Sequence, residues 1–208
     1  MLKTTSLTYT YNGKTQLSFP DIHLQDREDL LILGQSGVGK TTLIQILAGL
    51  LQPVSGKVEF NGEMYHNLPS KELDQFRGKH IGMVFQKPHF VRNISVLDNL
   101  LLSLYLSNNK QDKNRAIHLL EEIGLADKLN CKSNELSQGE QQRAAIALAV
   151  IKNPDLILAD EPTSSLDDTN CEKITKLLKE QAASTNAQLI IITHDNRLKR
   201  QFKNSITL

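Results

Sequence analysis

Residues 34–42 read Gly34-Gln35-Ser36-Gly37-Val38-Gly39-Lys40-Thr41-Thr42, with four residues between Gly34 and Gly39 and then a lysine and two hydroxyls. Residue types in this order suit a polyphosphate. The glycines let backbone N–H groups curl around a phosphate, and a helix opening at Lys40 adds favourable partial charge. Lys40 would bridge the β- and γ-phosphates and the Thr41 hydroxyl would ligate Mg²⁺. Gln35, Ser36, Gly37, Val38 and Thr42 complete the cradle. Far downstream, Leu156-Ile157-Leu158-Ala159 runs into Asp160-Glu161. Asp160 would hold Mg²⁺ through water, and Glu161 would orient and deprotonate an attacking water. Two solvated acids at a strand end are the plainer alternative. That alternative ignores the phosphate loop and the four apolar residues upstream.

A third phrase, Leu136-Ser137-Gln138-Gly139-Glu140-Gln141-Gln142-Arg143, opens a helical pattern. Ser137-x-x-Glu140 is a capping box, so a well-made helix start explains it. An exposed, capped N-terminus is also an anion site, and the two readings are compatible.

The elements that must position these groups follow from periodicity. Residues 6–11 alternate, Asn12-Gly13 is a hairpin turn, and residues 16–24 alternate again. Leu30-Leu31-Ile32-Leu33 is a continuous apolar run, as in a strand buried on both faces, and it feeds the phosphate loop. Leu43, Ile44, Leu47 and Leu50 then recur at helical spacing. Residues 58–60 and 81–85 read as strands, with a turn at Asn61-Gly62. Ser95 and Asp98 mark a capped helix start, and a second helix over roughly 110–123 stops at Gly124. From Asp155 onward strands (156–159, 189–193, 205–208) alternate again with a helix after Asp167. The sum is an α/β chain: a P-loop NTPase core with a mainly parallel sheet, an N-terminal antiparallel β region and an inserted helical subdomain. The expected division is one domain over 1–208, with 1–86 and 154–208 as core and 87–153 as the helical subdomain.

Bulk composition narrows the classes. The chain has 208 residues and a net charge of +1, giving no electrostatic argument for nucleic acid. The apolar runs are far short of a bilayer span, and Met1 leads into alternation rather than an export signal. Cys131 and Cys171 fit no metal spacing, so reduced thiols in a cytoplasmic protein are expected.

The order of the phosphate loop, Gln86, the Ser137 phrase, Asp160-Glu161, Ser165-Leu166-Asp167 and His194 resembles that of the ATP-binding-cassette (ABC) ATPases along essentially the whole chain. The resemblance implies ATP and Mg²⁺ as cofactors and roles for further residues. Tyr11 would stack on adenine, with a plain strand-surface tyrosine as the alternative. Gln86 would touch Mg²⁺ and water, and His194 would act on the γ-phosphate. Ser137 and Gly139 would reach the γ-phosphate held by a second copy, and Asp167 would communicate across that dimer. The family's usual Leu-Ser-Gly-Gly-Gln is altered here at Gln138 and Glu140, so a weakened ATPase is one alternative.

Residues 81–86, 96–100 and 159–164 resemble the ATPase subunits of lipoprotein-releasing and macrolide-export systems. That group implies a homodimer in the ATP state and a separate integral-membrane subunit, with the chain peripheral on the inner face of the membrane. Phe90, Val91 and Ile94 would receive a cytoplasmic helix of that subunit, or else simply pack within the helical subdomain. A non-transporting mechanical ATPase, as in cell division, is the second reading. A small-molecule kinase is the third, and it leaves the Ser137 phrase and His194 unexplained.

Overall fold

The computed structural model describes residues 1–11, 15–164 and 166–208. The hairpin turn expected at Asn12-Gly13 and the residue Ser165 lie outside the described residues. In chain order the elements are β1 (Leu2–Tyr11), β2 (Thr15–Ser18), β3 (His23–Leu24), β4 (Asp29–Leu33), α1 (Lys40–Leu47), β5 (Ser55–Phe60), α2 (Ser70–His80), β6 (Ile81–Val84), α3 (Val96–Leu106), α4 (Lys113–Glu122), α5 (Gln138–Val150), β7 (Leu156–Asp160), α6 (Asp168–Thr185), β8 (Gln188–Thr193) and β9 (Asn204–Thr207).

Two sheets divide the strands. β4, β6, β7, β8 and β9 form a parallel sheet in the order β6-β7-β8-β4-β9. β1 pairs antiparallel with β2, β3 and β5 in the second sheet.

The continuous apolar strands follow from where the parallel sheet sits. Leu31 and Leu33 of β4 face one hydrophobic core with Ile157, Ala159, Leu189 and Ile191. Leu30 and Ile32 face the other, with Leu156, Leu158, Ile190 and Ile192. A sheet covered on both faces buries every side chain, so alternation vanishes. α3, α4, α5 and α6 contribute to the first core; α1 and the antiparallel sheet contribute to the second. Gly82 of β6 lets α5 close on the sheet: a Cβ there would meet the Ala149 carbonyl oxygen at 2.5 Å and Pro154 Cγ at 2.8 Å.

Several expectations need correction. Residues 16–24 are not one strand, because Pro20 lacks an N–H and the chain leaves the sheet between Ser18 and His23. Leu50 lies beyond α1, which ends at Leu47, and its side chain is exposed. The helix expected from about residue 110 begins at Lys113, where the Asp112 side chain caps it through the Arg115 amide. α2 was not expected at all, since Phe76 is its one buried side chain. Ser95 caps α3 by accepting from the Asp98 amide, as the sequence suggests.

Candidate functional site

The C-terminal ends of β4, β7 and β8 lie side by side and deliver three kinds of chemistry to one cleft. β4 runs into the phosphate loop, β7 into Asp160-Glu161, and β8 through Thr193 into His194. The cleft has a volume of about 710 Å³. Its lining includes Tyr11, Gln35, Ser36, Gly37, Gly39, Lys40, Thr41, Thr42, Gln86, Glu161 and His194. Such a crevice beyond the carboxyl ends of parallel strands is where α/β sheets bind ligands.

Gly39 caps α1 with φ 101° and ψ 13°, a left-handed backbone that a residue with a Cβ rarely adopts. This turn points the first amides of α1 into the cleft as anion donors. Lys40 is buried, and its Nζ donates to the Gly34 and Gln35 carbonyls at 2.9 Å each. It also lies 3.4 Å from Glu161 Oε1. Tyr11 closes the side of the cleft, its hydroxyl 2.8 Å from Thr42 Oγ1 and its ring half exposed.

Glu161 has φ 49°, outside the usual range for a residue with a side chain. Its amide still bonds to the Ile192 carbonyl of β8 at 2.8 Å, so β7 ends on an anchored left-handed turn that redirects the carboxylate. Thr193 Oγ1 donates to Glu161 Oε2 at 2.9 Å, the His194 amide donates at 3.3 Å, and His194 Nδ1 lies 2.9 Å from the carboxylate. Burial alone would raise the Glu161 carboxyl; the hydrogen bonds from His194 and Thr193 outweigh it and hold it below the ordinary glutamate value. A carboxylate that is ionised, nearly enclosed and beside the phosphate loop is suited to activating water.

Asp160 is in the opposite condition. Burial pushes its carboxyl up, with the Glu161 charge adding to the effect, while the Thr41 hydroxyl and Lys40 pull it down. Asp160 Oδ1 is buried without a hydrogen-bond partner among the described residues. A buried carboxylate oxygen without a partner, beside a hydroxyl, is a donor pair for a hard divalent cation. No group of three or more His, Cys, Asp or Glu that could hold a metal occurs among the described residues. Gln86 enters the cleft from the end of β6, its Nε2 3.5 Å from Ser164 Oγ.

The cleft does not gather every expected residue. Ser137, Gly139 and Asp167 are not among the residues lining it, and neither are Gly34, Val38 and Asp160. Ser137 caps α5, accepting from the Glu140 amide at 3.4 Å, while Glu140 Oε2 accepts from the Ser137 amide at 2.7 Å. Glu140 therefore turns toward its own helix. Asp167 caps α6 by accepting from the Asn170 amide at 2.8 Å.

Sequence reasoning missed Thr193, Thr15 and Leu17. Thr193 is a fully buried hydroxyl ending an apolar strand beside the singled-out histidine, and that was its available signal. Nothing in the sequence marks Thr15 and Leu17 as cleft walls. A second concavity of about 570 Å³ includes Leu50, Met83, Phe90, Val91, Leu148 and Lys152 in its lining. Ile94 is not part of that lining.

The sequence profile of the family described as ABC transporter matches residues 18–164. The lipoprotein-releasing system ATP-binding protein LolD of Wigglesworthia glossinidia brevipalpis is 36% identical over 214 residues, covering 100% of this chain and 93% of that protein. The protein of the same description from Syntrophus aciditrophicus is 40% identical over 190 residues, covering 90% and 85%. A dimeric ATP-binding cassette in a post-hydrolysis state bound to ADP and Pi superposes with a TM-score of 0.90 at 32% identity, covering 100% of this chain and 94% of that one.

Proposed function

The chain belongs to the ABC transporter family as an ATP-binding and hydrolysing subunit, and on that premise we propose that two copies close around two ATP to drive a separate membrane subunit of the lipoprotein-releasing kind. The observation that carries the hydrolytic reading is the Glu161 carboxylate, aimed into the phosphate cleft by a left-handed turn and gripped by Thr193 and His194.

The phosphate loop from Gly34 to Thr42 cradles the triphosphate, and Lys40 meets its β- and γ-oxygens. Tyr11 offers a half-exposed ring at the cleft edge for the base. Glu161 takes the proton of the attacking water, held on the γ-phosphate side by His194. Asp160, Thr41 and Gln86 would hold Mg²⁺, which would screen the phosphate charge. Ser137 and Gly139, at the N-terminus of α5, serve the γ-phosphate of the other copy, and Asp167 communicates between the two sites. The helical stretch 87–153 is the subdomain that carries this phrase.

No helix among the described residues is long and apolar enough to cross a membrane. The chain attaches to the inner face of the membrane through its partner. The apolar concavity with Phe90 and Val91 supports docking of a cytoplasmic segment there, as Val91 and Leu106 on it are exposed.

The deciding experiment is Glu161→Gln, followed by ATP hydrolysis and sizing with ATP and Mg²⁺. Loss of the base should lower kcat by about 10²-fold or more and leave an ATP-bound dimer. A variant that binds ATP yet stays monomeric at high concentration, alone and with its membrane subunit, overturns the two-copy reading.

A further inference from the structure

Outside the cleft, one charged cluster ties the segment after His194 to the segment after Glu161. Arg197 lies in the short helical turn Asn196–Gln201, which the Asp195 side chain caps through the Arg197 amide at 3.0 Å. The guanidinium then grips Asp195, with Nε 2.9 Å from both carboxylate oxygens and Nη2 2.6 Å from Oδ2. Its other edge reaches the start of α6. Nη1 pairs with Asp168, and Nη2 lies 3.4 Å from the Leu166 carbonyl.

Asp195 is itself anchored on both sides. Its amide donates to Thr193 Oγ1 at 3.0 Å, and that hydroxyl donates to Glu161. Cys171 Sγ, in the first turns of α6, lies 3.7 Å from Asp195 Oδ2. A continuous path therefore runs from Glu161 through Thr193, Asp195 and Arg197 to Leu166 and Asp168, on either side of Asp167.

The Asp168 end of this cluster is an ordinary surface pair, and the Asp195 end is not. Asp168 is largely exposed, so its pairing with Arg197 contributes little to stability. Asp195 is nearly buried, and the planar fork of an arginine can hold a carboxylate on one edge and a second acceptor on the other, which a lysine cannot.

We propose that Arg197 is a positioning residue that fixes the segment carrying Asp167 relative to Glu161 and His194, so that hydrolysis at one site and the contact across the dimer keep one geometry. This rests on the ATPase reading above. Without the fork, α6 still forms, but its first turn is free to drift relative to the general base.

The test is steady-state ATP hydrolysis and thermal melting of the full chain as wild type, Arg197→Met, Arg197→Lys, Asp168→Asn and the double variant Arg197→Met with Asp168→Asn. Arg197→Met and Asp168→Asn should each lower kcat by about tenfold with KM for ATP within about twofold. The double variant should fall no further than Arg197→Met, since the contact that Asp168→Asn removes is already lost in Arg197→Met. Arg197→Lys should recover only part of the rate. Asp168→Asn should melt close to wild type, because that carboxylate is exposed, whereas Arg197→Met leaves the nearly buried Asp195 without its guanidinium and should melt lower; the rate loss in Asp168→Asn therefore separates positioning from support of the fold.

Wild-type kcat in Arg197→Met, or losses that multiply in the double variant, overturn the proposal. A change confined to KM does the same. Should Arg197→Met fold poorly, Asp168→Asn alone decides, because it touches only the exposed end. A wild-type chain that hydrolyses no ATP overturns the functional reading and the positioning role with it.

Discussion

Glu161 occupies a left-handed backbone that costs about 1–3 kcal/mol, and the hydrogen bonds it receives say what the strain achieves. They keep a nearly buried carboxylate ionised. Burial raises its pKa; His194 and Thr193 lower it further than burial raises it. The acid limb that Glu161 contributes to kcat/KM should therefore lie below the ordinary value of 4.5. Thr193→Val removes one of the lowering bonds and leaves the burial, so that limb should move upward, with kcat near neutral pH down by roughly tenfold. A pH–rate profile of the two proteins checks it, and an unshifted limb means Thr193 does not tune the base. At this scale the local phrases were legible: the phosphate loop and Asp160-Glu161 announce themselves within a few residues. Thr193 did not, because its partner lies 32 residues earlier and only the β7–β8 pairing brings the two together.

Among elements, legibility follows how much of the signal is local. β4, β7 and β8 read correctly as buried strands, since burial on both faces leaves an unbroken apolar run. Their order in the sheet did not, because β6, β7, β8, β4 and β9 are neighbours through crossovers that no periodicity encodes. α2 escaped because an element that buries only Phe76 carries almost no amphipathic pattern. The caps of α3 and α5 were legible, being three-residue signals. Gly82 is informative only in three dimensions. Gly82→Ala places a methyl group 2.5 Å from the Ala149 carbonyl, where backbone must move. The expected cost is about 1–3 kcal/mol, seen as a melting temperature lower by roughly 3–10 °C. A melting curve matching wild type shows that α5 can shift away from β6 freely.

At the scale of the whole molecule, the proposed reading makes the cleft of one chain chemically incomplete. Lys40, Gln86, Glu161 and His194 meet in it, whereas Ser137, Gly139 and Asp167 do not. Ser137 is exposed at the capped, electropositive end of α5, an arrangement that favours an anion brought from outside the chain. If the anion is the γ-phosphate held by a second copy, the working unit is two chains, and ATP is part of the contact that joins them. A net charge of +1 gives little long-range repulsion or steering between copies, so the encounter depends on concentration and on bound nucleotide. Total hydrolysis at saturating ATP should then rise with about the square of protein concentration while dimers are the minority, and become linear once they dominate. Salt should change that crossover only modestly, since no large charge is being screened. The measurement is initial rate against protein concentration over about three decades, with the Glu161→Gln dimer providing the expected crossover concentration. A strictly linear rate down to concentrations at which sizing finds single chains means that one chain holds a complete site. Ser137 and Asp167 would then serve only as the caps of α5 and α6.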